Sequence, residues 1–345
     1  MHIKELFRHI ENSNDFQSWC NKIILQENNI VKFTPNLGVN LTSKCNMNCE
    51  HCCFKEYLNQ DEEFDYEKFY IFLEKYLIEF KNDGHDSLKL HFNCGELTLL
   101  PANDLLKFLD RCLNIYTRHK MKLSFRINSN LKNIGNNLMF FILCKDICDA
   151  VGKEFTFYTS IDYYHFDKGF FEEHYKNIKR LQDIGIKVIA NTVIKNRDEL
   201  LYIMEKYKPL NLTYVLQLLK DYEELENPCN NFNTIQKTYS EFQDIIKLDN
   251  VDVSYHVNGC HRFPLKAIYT YNNTIVQCPF FAPYKFNDDL NIDPELYTSI
   301  DDIYQSKLFL IQRYLIDNIK NSIYDICPIT YYYNQNFHTG EISND

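Results

Sequence analysis

"LGVNLTSKCNMNCEHCCF", residues 37–54, runs a short candidate strand, 37–42, straight into a loop that carries four cysteines. Cys45, Cys49 and Cys52 are spaced C-x3-C-x2-C, and Cys53 adjoins the last of them. A loop at the C-terminal end of a strand is where parallel α/β barrels put their chemistry.

Apolar runs bounded by turn residues continue beyond it at 87–93, 122–129, 155–162, 187–194 and 212–219. Between the first two strands, Phe69, Phe72, Leu73, Tyr76, Leu77 and Phe80 recur at three- and four-residue steps, which predicts one apolar helical stripe. Helices also fit 102–118, 136–149, 170–184 with Gly185 as a stop, and 197–207. This βα rhythm predicts an α/β fold with a parallel sheet or barrel covered by helices. It breaks near residue 222, where "DYEELENPCNN" is acidic and carries Pro and Asn, and the helix expected at 234–248 is not followed by another barrel unit. "PLKAIYTYNNTIVQCP", 264–279, reads as a hairpin turning at its Asn pair. Three segments result: a helical cap at 1–36, a barrel at 37–222 and a smaller α+β region at 223–345.

Composition excludes several functions. The chain has 345 residues, 45% of them hydrophobic, enough for one large core or a main domain with an appendage. A net charge of −10 opposes a phosphate-tracking surface, and "RHKMKLSFR" is too short to be one, so no nucleic-acid partner is expected. With nine glycines there is no Walker or GxGxxG loop. No apolar run long enough for a membrane span and no export signal is seen, so the expected location is the cytoplasm and the thirteen cysteines are expected to be reduced.

In a reducing compartment a tight cysteine cluster points to a metal or redox site. Three thiolates on so short a loop can ligate three irons of a cubic [4Fe–4S] cluster and leave the fourth iron open. Structural zinc normally takes four ligands in two separated pairs, and no second C-x2-C pair follows, although His51 offers a nitrogen. A thioredoxin-like pair, Cys49 and Cys52, leaves Cys45 unexplained.

At these residues the sequence resembles the radical S-adenosylmethionine (SAM) superfamily, over roughly residues 35–220. The resemblance implies a partial (β/α)6, TIM-like barrel in which the open iron chelates SAM. Reductive cleavage then yields a 5′-deoxyadenosyl radical that abstracts hydrogen from an unactivated C–H. It also implies roles for strand-end residues. "NCGELTLLP" resembles the Gly-Gly-Glu-Pro segment that meets the methionine amino group: Gly95 and Glu96 match, while Cys94 and Leu97 stand at the Gly and Pro positions. "INSNL" resembles a Thr-Asn-Gly segment, giving Ser129 and Asn130, and "SID" a Ser-x-Asp segment, giving Ser160 and Asp162. Asn191, on the fifth strand, is placed to reach the ribose. Capping of the following helices explains these polar residues equally well. His51 and Cys94 complete the implied cofactor-binding set.

Cys260 and Cys278 frame the hairpin, and Cys327 follows a further helix. This arrangement resembles the twitch domain, a shortened SPASM extension that holds an auxiliary [4Fe–4S] cluster, with Asn273 where relatives have Gly. The fourth ligand stays open among Cys229, His261 and a substrate-binding iron. Ordinary buried thiols are the alternative, and this is the reading for Cys20, Cys112, Cys144 and Cys148. Cys53 and Cys94 lie where a hydrogen-atom donor would be needed.

The resemblance implies a peptide substrate, crosslinked or epimerised, and a low-potential electron donor such as flavodoxin or ferredoxin. A dehydrogenase or epimerase of a small molecule such as an aminocyclitol or sugar stands beside it. The 36 residues before the first strand are fewer than the leader-binding module of some peptide maturases. A non-catalytic iron–sulfur electron carrier and a zinc-dependent binding module are the readings outside radical chemistry.

Overall fold

The structure is a computed structural model that describes residues 3–25, 35–47, 49, 52, 58–59, 63–93, 95–161, 170–194, 197–218, 244–245, 247–253, 267–270, 272–276, 294, 297, 299, 306, 309–311 and 313–315. Two N-terminal helices, α1 (Ile3–Glu11) and α2 (Asn14–Leu25), precede β1 (Asn36–Val39). Then α3 (Tyr66–Asn82), β2 (Ser87–Phe92), α4 (Ala102–Arg118), β3 (Lys122–Ser129), α5 (Leu138–Ala150) and β4 (Thr156–Ser160) alternate. The alternation continues through α6 (Phe171–Asp183), β5 (Lys187–Ile194), α7 (Arg197–Tyr207) and β6 (Thr213–Leu218). All six expected strands and the five helices between them are present, with ends shifted by a few residues.

Strands β1 to β6 pair in parallel in chain order. Side chains alternate across the sheet, so one face takes Leu37, Val39, Leu88, Leu90, Phe92, Leu123, Phe125, Ile127 and Phe157, all buried in one core with the helices. The predicted stripe of α3 enters that core: Phe69, Phe72, Leu73, Tyr76 and Leu77 are fully buried. Asp65 caps the helix by accepting from the Lys68 N–H. Cys112, Cys144 and Cys148 are buried core thiols as expected, and burial pushes all three above their usual range, whereas Cys20 on α2 is only half-buried and lies outside the core.

Among the described residues, three more strands come from beyond residue 222. One corrects the sequence reading: β7 (Val251–Val253) follows the 234–248 segment and pairs in parallel with β6. A three-residue strand after an acidic stretch carries too little pattern to be recognised alone. The hairpin is present as β8 (Ala267–Tyr269) and β9 (Ile275–Val276), antiparallel to each other, and β8 lies parallel to β1 at the opposite edge. The sheet order is thus β7-β6-β5-β4-β3-β2-β1-β8-β9. Gly38 permits the β1–β8 contact, since a Cβ there would lie 2.8 Å from Ile268 Cγ1. Tyr269 then packs among Phe64, Phe69 and Phe72. Asn273, at φ 58, holds the left-handed turn position expected of it.

Candidate functional site

The loops after β1, β2 and β3 meet at the C-terminal end of the sheet. Thr42 and Ser43, buried, open the first loop. Thr42 Oγ1 accepts from the Lys44 N–H at 3.0 Å, and Lys44 C=O accepts from the Glu96 N–H at 2.7 Å. Gly95 makes this approach possible. Its φ is +64, and a Cβ would stand 2.2 Å from Thr42 O, so both backbone conformation and space require glycine.

Asn59 braces the cysteine loop from its far side. Its Oδ1 accepts from the Cys45 N–H at 3.0 Å, and its own N–H donates to Ser43 C=O at 3.0 Å. Within the loop the Cys52 N–H donates to Cys49 C=O. Sequence reading missed Asn59; its only signal is an Asn in a polar turn, here at φ 59.

Glu96 is 1% exposed and organises the centre. Its Oε1 accepts from Thr98 N–H at 3.0 Å, Thr98 Oγ1 at 2.7 Å and Ser129 Oγ at 2.7 Å. Its Oε2 accepts from the Asn130 N–H at 2.7 Å. Asn130 in turn donates from Nδ2 to Asn46 Oδ1 at 2.9 Å and lies 4.0 Å from Cys45 Sγ. Lys132 Nζ reaches Asn46 C=O. Capping and site formation therefore coincide, because Glu96 also caps the 3-10 turn Leu97–Leu99. Thr98, also missed from sequence, is held from behind by Asn137 Nδ2 on its carbonyl.

Ser160 and Asn191 are register partners across β4 and β5, half-buried at the same end of the sheet. Glu96, Ser129, Asn130, Ser160 and Asn191 are thus gathered at the loop end that carries Cys45, Cys49 and Cys52. Cys94, His51 and Asp162 lie outside the described residues, as do Cys53, Cys229, Cys260, His261, Cys278 and Cys327.

Two features fit an incoming cationic group and an iron–sulfur cluster. The Glu96 carboxylate is buried, its Oε2 accepts one hydrogen bond, and no Lys or Arg pairs with it among the described residues. An anion so placed favours an ammonium partner. Burial pushes the Cys45 thiol up to about 11, and the Glu96 carboxylate and the Cys49 and Cys52 thiols add to the rise, while the Met47 N–H opposes it. Such a thiol ionises when a metal centre takes its proton's place. Among the described residues no three His, Cys, Asp or Glu side chains converge on a single ion. A cubic cluster asks for something different, one thiolate on each of three irons.

The fold superposes on solved structures of anSMEcpe. With bound AdoMet and the Cp18Cys peptide the TM-score is 0.59 at 13% identity, covering 85% of this chain and 88% of that one. With AdoMet and the Kp18Cys peptide it is 0.61 at 12%, with the same coverage. With AdoMet alone it is 0.57 at 13%, covering 79% and 81%. The chain therefore shares the partial-barrel α/β fold of these AdoMet-bound structures. No protein-family model and no curated protein matches the sequence. Among the described residues no helix is long and apolar enough to cross a membrane.

Proposed function

We propose that this chain is a radical SAM enzyme. The observation that carries the reading is the buried Glu96 carboxylate, joined through Asn130 to the loop of Cys45 and Asn46. Cys45, Cys49 and Cys52 would hold the [4Fe–4S] cluster. Glu96 would take the ammonium group of SAM, beside a backbone approach that Gly95 leaves open. Ser129 and Asn130 fix the carboxylate, and Ser160 and Asn191 offer polar contacts to the nucleoside. When bound, cluster and SAM supply a 5′-deoxyadenosyl radical that takes a hydrogen atom from carbon. The residues of this chain orient SAM and keep water away, which is the protein's share in cofactor chemistry.

The substrate reading is a peptide, supported by the Cp18Cys peptide that accompanies AdoMet in a protein of similar fold. Cys260, Cys278 and Cys327 would hold an auxiliary cluster near the hairpin, with Cys229, His261 or a substrate group as its fourth ligand. A low-potential donor such as flavodoxin or ferredoxin would reduce the enzyme in the cytoplasm.

Anaerobic reconstitution tests the reading. About eight irons per chain are expected for two clusters, and about four would remove the auxiliary one. Reduction with SAM should release 5′-deoxyadenosine, Cys49→Ala should abolish that release, and Cys278→Ala should retain part of it while losing turnover. A chain that stays pale, or that holds iron without splitting SAM, overturns the proposal.

A further inference from the structure

The strand face turned away from the helices is polar where a filled barrel carries branched apolar side chains. Asn40 is 0% exposed, yet neither its Oδ1 nor its Nδ2 has a hydrogen-bond partner. Asn93 Oδ1 and Asn128 Oδ1 are likewise buried and unpartnered. These three lie at the C-terminal ends of adjacent strands: Asn40 and Asn93 directly follow β1 and β2, where the Asn93 N–H donates to Val39 C=O, and Asn128 on β3 is the register partner of Tyr158. Buried amides without partners are rare in native folds and call for an explanation.

Arg126 shares this face. Two residues before Asn128 on β3, it folds its guanidinium over the Tyr158 ring, 3.8 Å from the centroid, and so rises to the Asn128–Tyr158 level. No carboxylate pairs with it among the described residues, and its Nε has no hydrogen-bond partner. Desolvation acts against its charge. A largely buried cation with no counter-ion is costly unless an anion arrives. One guanidinium among neutral amides balances one negative charge, which suits a carboxylate better than a phosphate dianion. Asn130 stands two residues beyond Asn128, just past the end of β3 and about 7 Å toward the cysteine loop.

We propose that Arg126, stacked on Tyr158, receives a carboxylate of the substrate, and that Asn40, Asn93 and Asn128 hydrogen-bond the groups next to it. The carbon skeleton attached to that carboxylate then extends toward Glu96 and Asn130. The proposal rests on the radical SAM reading only for calling the bound molecule a substrate.

The test uses the reconstituted full-length chain and ligand-observed NMR titration with four probes. Glutarate is compared with glutaramide, and a capped tripeptide bearing one glutamate with its glutamine counterpart. The carboxylates are expected to bind at least about tenfold more tightly than the amides, the loss expected for one charge-assisted pair. The tighter of the two carboxylates identifies a small-molecule or a peptide source. Arg126→Gln should erase the preference, and Asn128→Asp, which sets an internal carboxylate beside Arg126, should expel both acids. Equal binding of acid and amide by the wild type, no binding of any probe, or an unchanged preference in Arg126→Gln would each overturn the site. Release of 5′-deoxyadenosine by the wild type is measured in parallel. If it is absent while the Arg126-dependent preference stands, the radical reading falls alone; if it is present while acid and amide bind alike, only the carboxylate site falls.

Discussion

The backbone N–H of Asn130 donates to Glu96 Oε2 at 2.7 Å, joining the end of β3 to the loop after β2 through one buried carboxylate. The other oxygen, Oε1, faces a second backbone donor, the N–H of Thr98. Both donors are fixed by the main chain, so the carboxylate is matched to its surroundings on each side.

Glu96→Gln is therefore not a neutral exchange. Whichever way the amide turns, its NH2 group confronts a backbone N–H, and an unsatisfied buried donor costs ~1–3 kcal/mol. Urea unfolding should show that loss, and equilibrium dialysis should show weakened SAM binding. A variant as stable as the parent would mean that the two N–H contacts are absent.

Gly95→Ala and Gly152→Ala separate space from conformation. Both positions have positive φ, +64 and +67, but a Cβ at Gly152 meets nothing within 4 Å. Gly152→Ala should cost only the left-handed penalty of ~1–2 kcal/mol. Gly95→Ala should cost more and should also lower iron uptake, because the Thr42 carbonyl must move. Equal effects of the two changes on stability and iron content would contradict the close approach.

The hairpin turn is fastened to α3 by Asn273, whose Oδ1 accepts from the Asp65 N–H at 2.9 Å and whose Nδ2 donates to Glu63 C=O. Asn273→Gly keeps the left-handed turn but loses these bonds, at ~1 kcal/mol. Asn273→Ala loses both bonds and conformation and should be less stable than the glycine variant. Denaturation midpoints should fall in the order Asn, Gly, Ala; a glycine variant above the parent would refute the anchoring.

Alkaline pH should weaken the metal-free fold. The Cys45 thiol rises from 9.0 to about 11, chiefly by burial, so the folded chain keeps a proton that the unfolded chain releases. Stability from this group is complete below pH 9 and is lost as pH rises toward 11. Cys148, also raised to about 11, acts in the same direction. Urea unfolding of iron-free protein between pH 8 and 10.5 should show a falling midpoint, and Cys45→Ala a shallower fall. An unchanged slope in that variant would exclude Cys45 as a contributor.

Much of the site was readable because its parts are local. Gly95 and Glu96 sit together at a strand end, and the α3 stripe repeats within one helix. Asn59 and Thr98 escaped because the distant partners that give them a role, Cys45 and Ser43 for one and Asn137 for the other, are met only in the folded loops. The polar inner face was half visible in "KLSFRINS", where Ser124, Arg126 and Asn128 alternate with Leu123, Phe125 and Ile127. Alternation gives the face, but not what stands opposite it.

By itself the sequence determined the order of the first six strands with the helices between them and the thiols that follow β1, since periodicity, turn residues and spacing act over a few neighbours. Only the tertiary structure decided that β8 lies along β1, that β7 extends the far edge and that Arg126 meets Tyr158 with no acid beside it among the described residues. Backbone hydrogen bonds between strands are the same for any pair of sequences. Which edges join is set by the shape of the side chains that must pack there, as Gly38 does under Ile268.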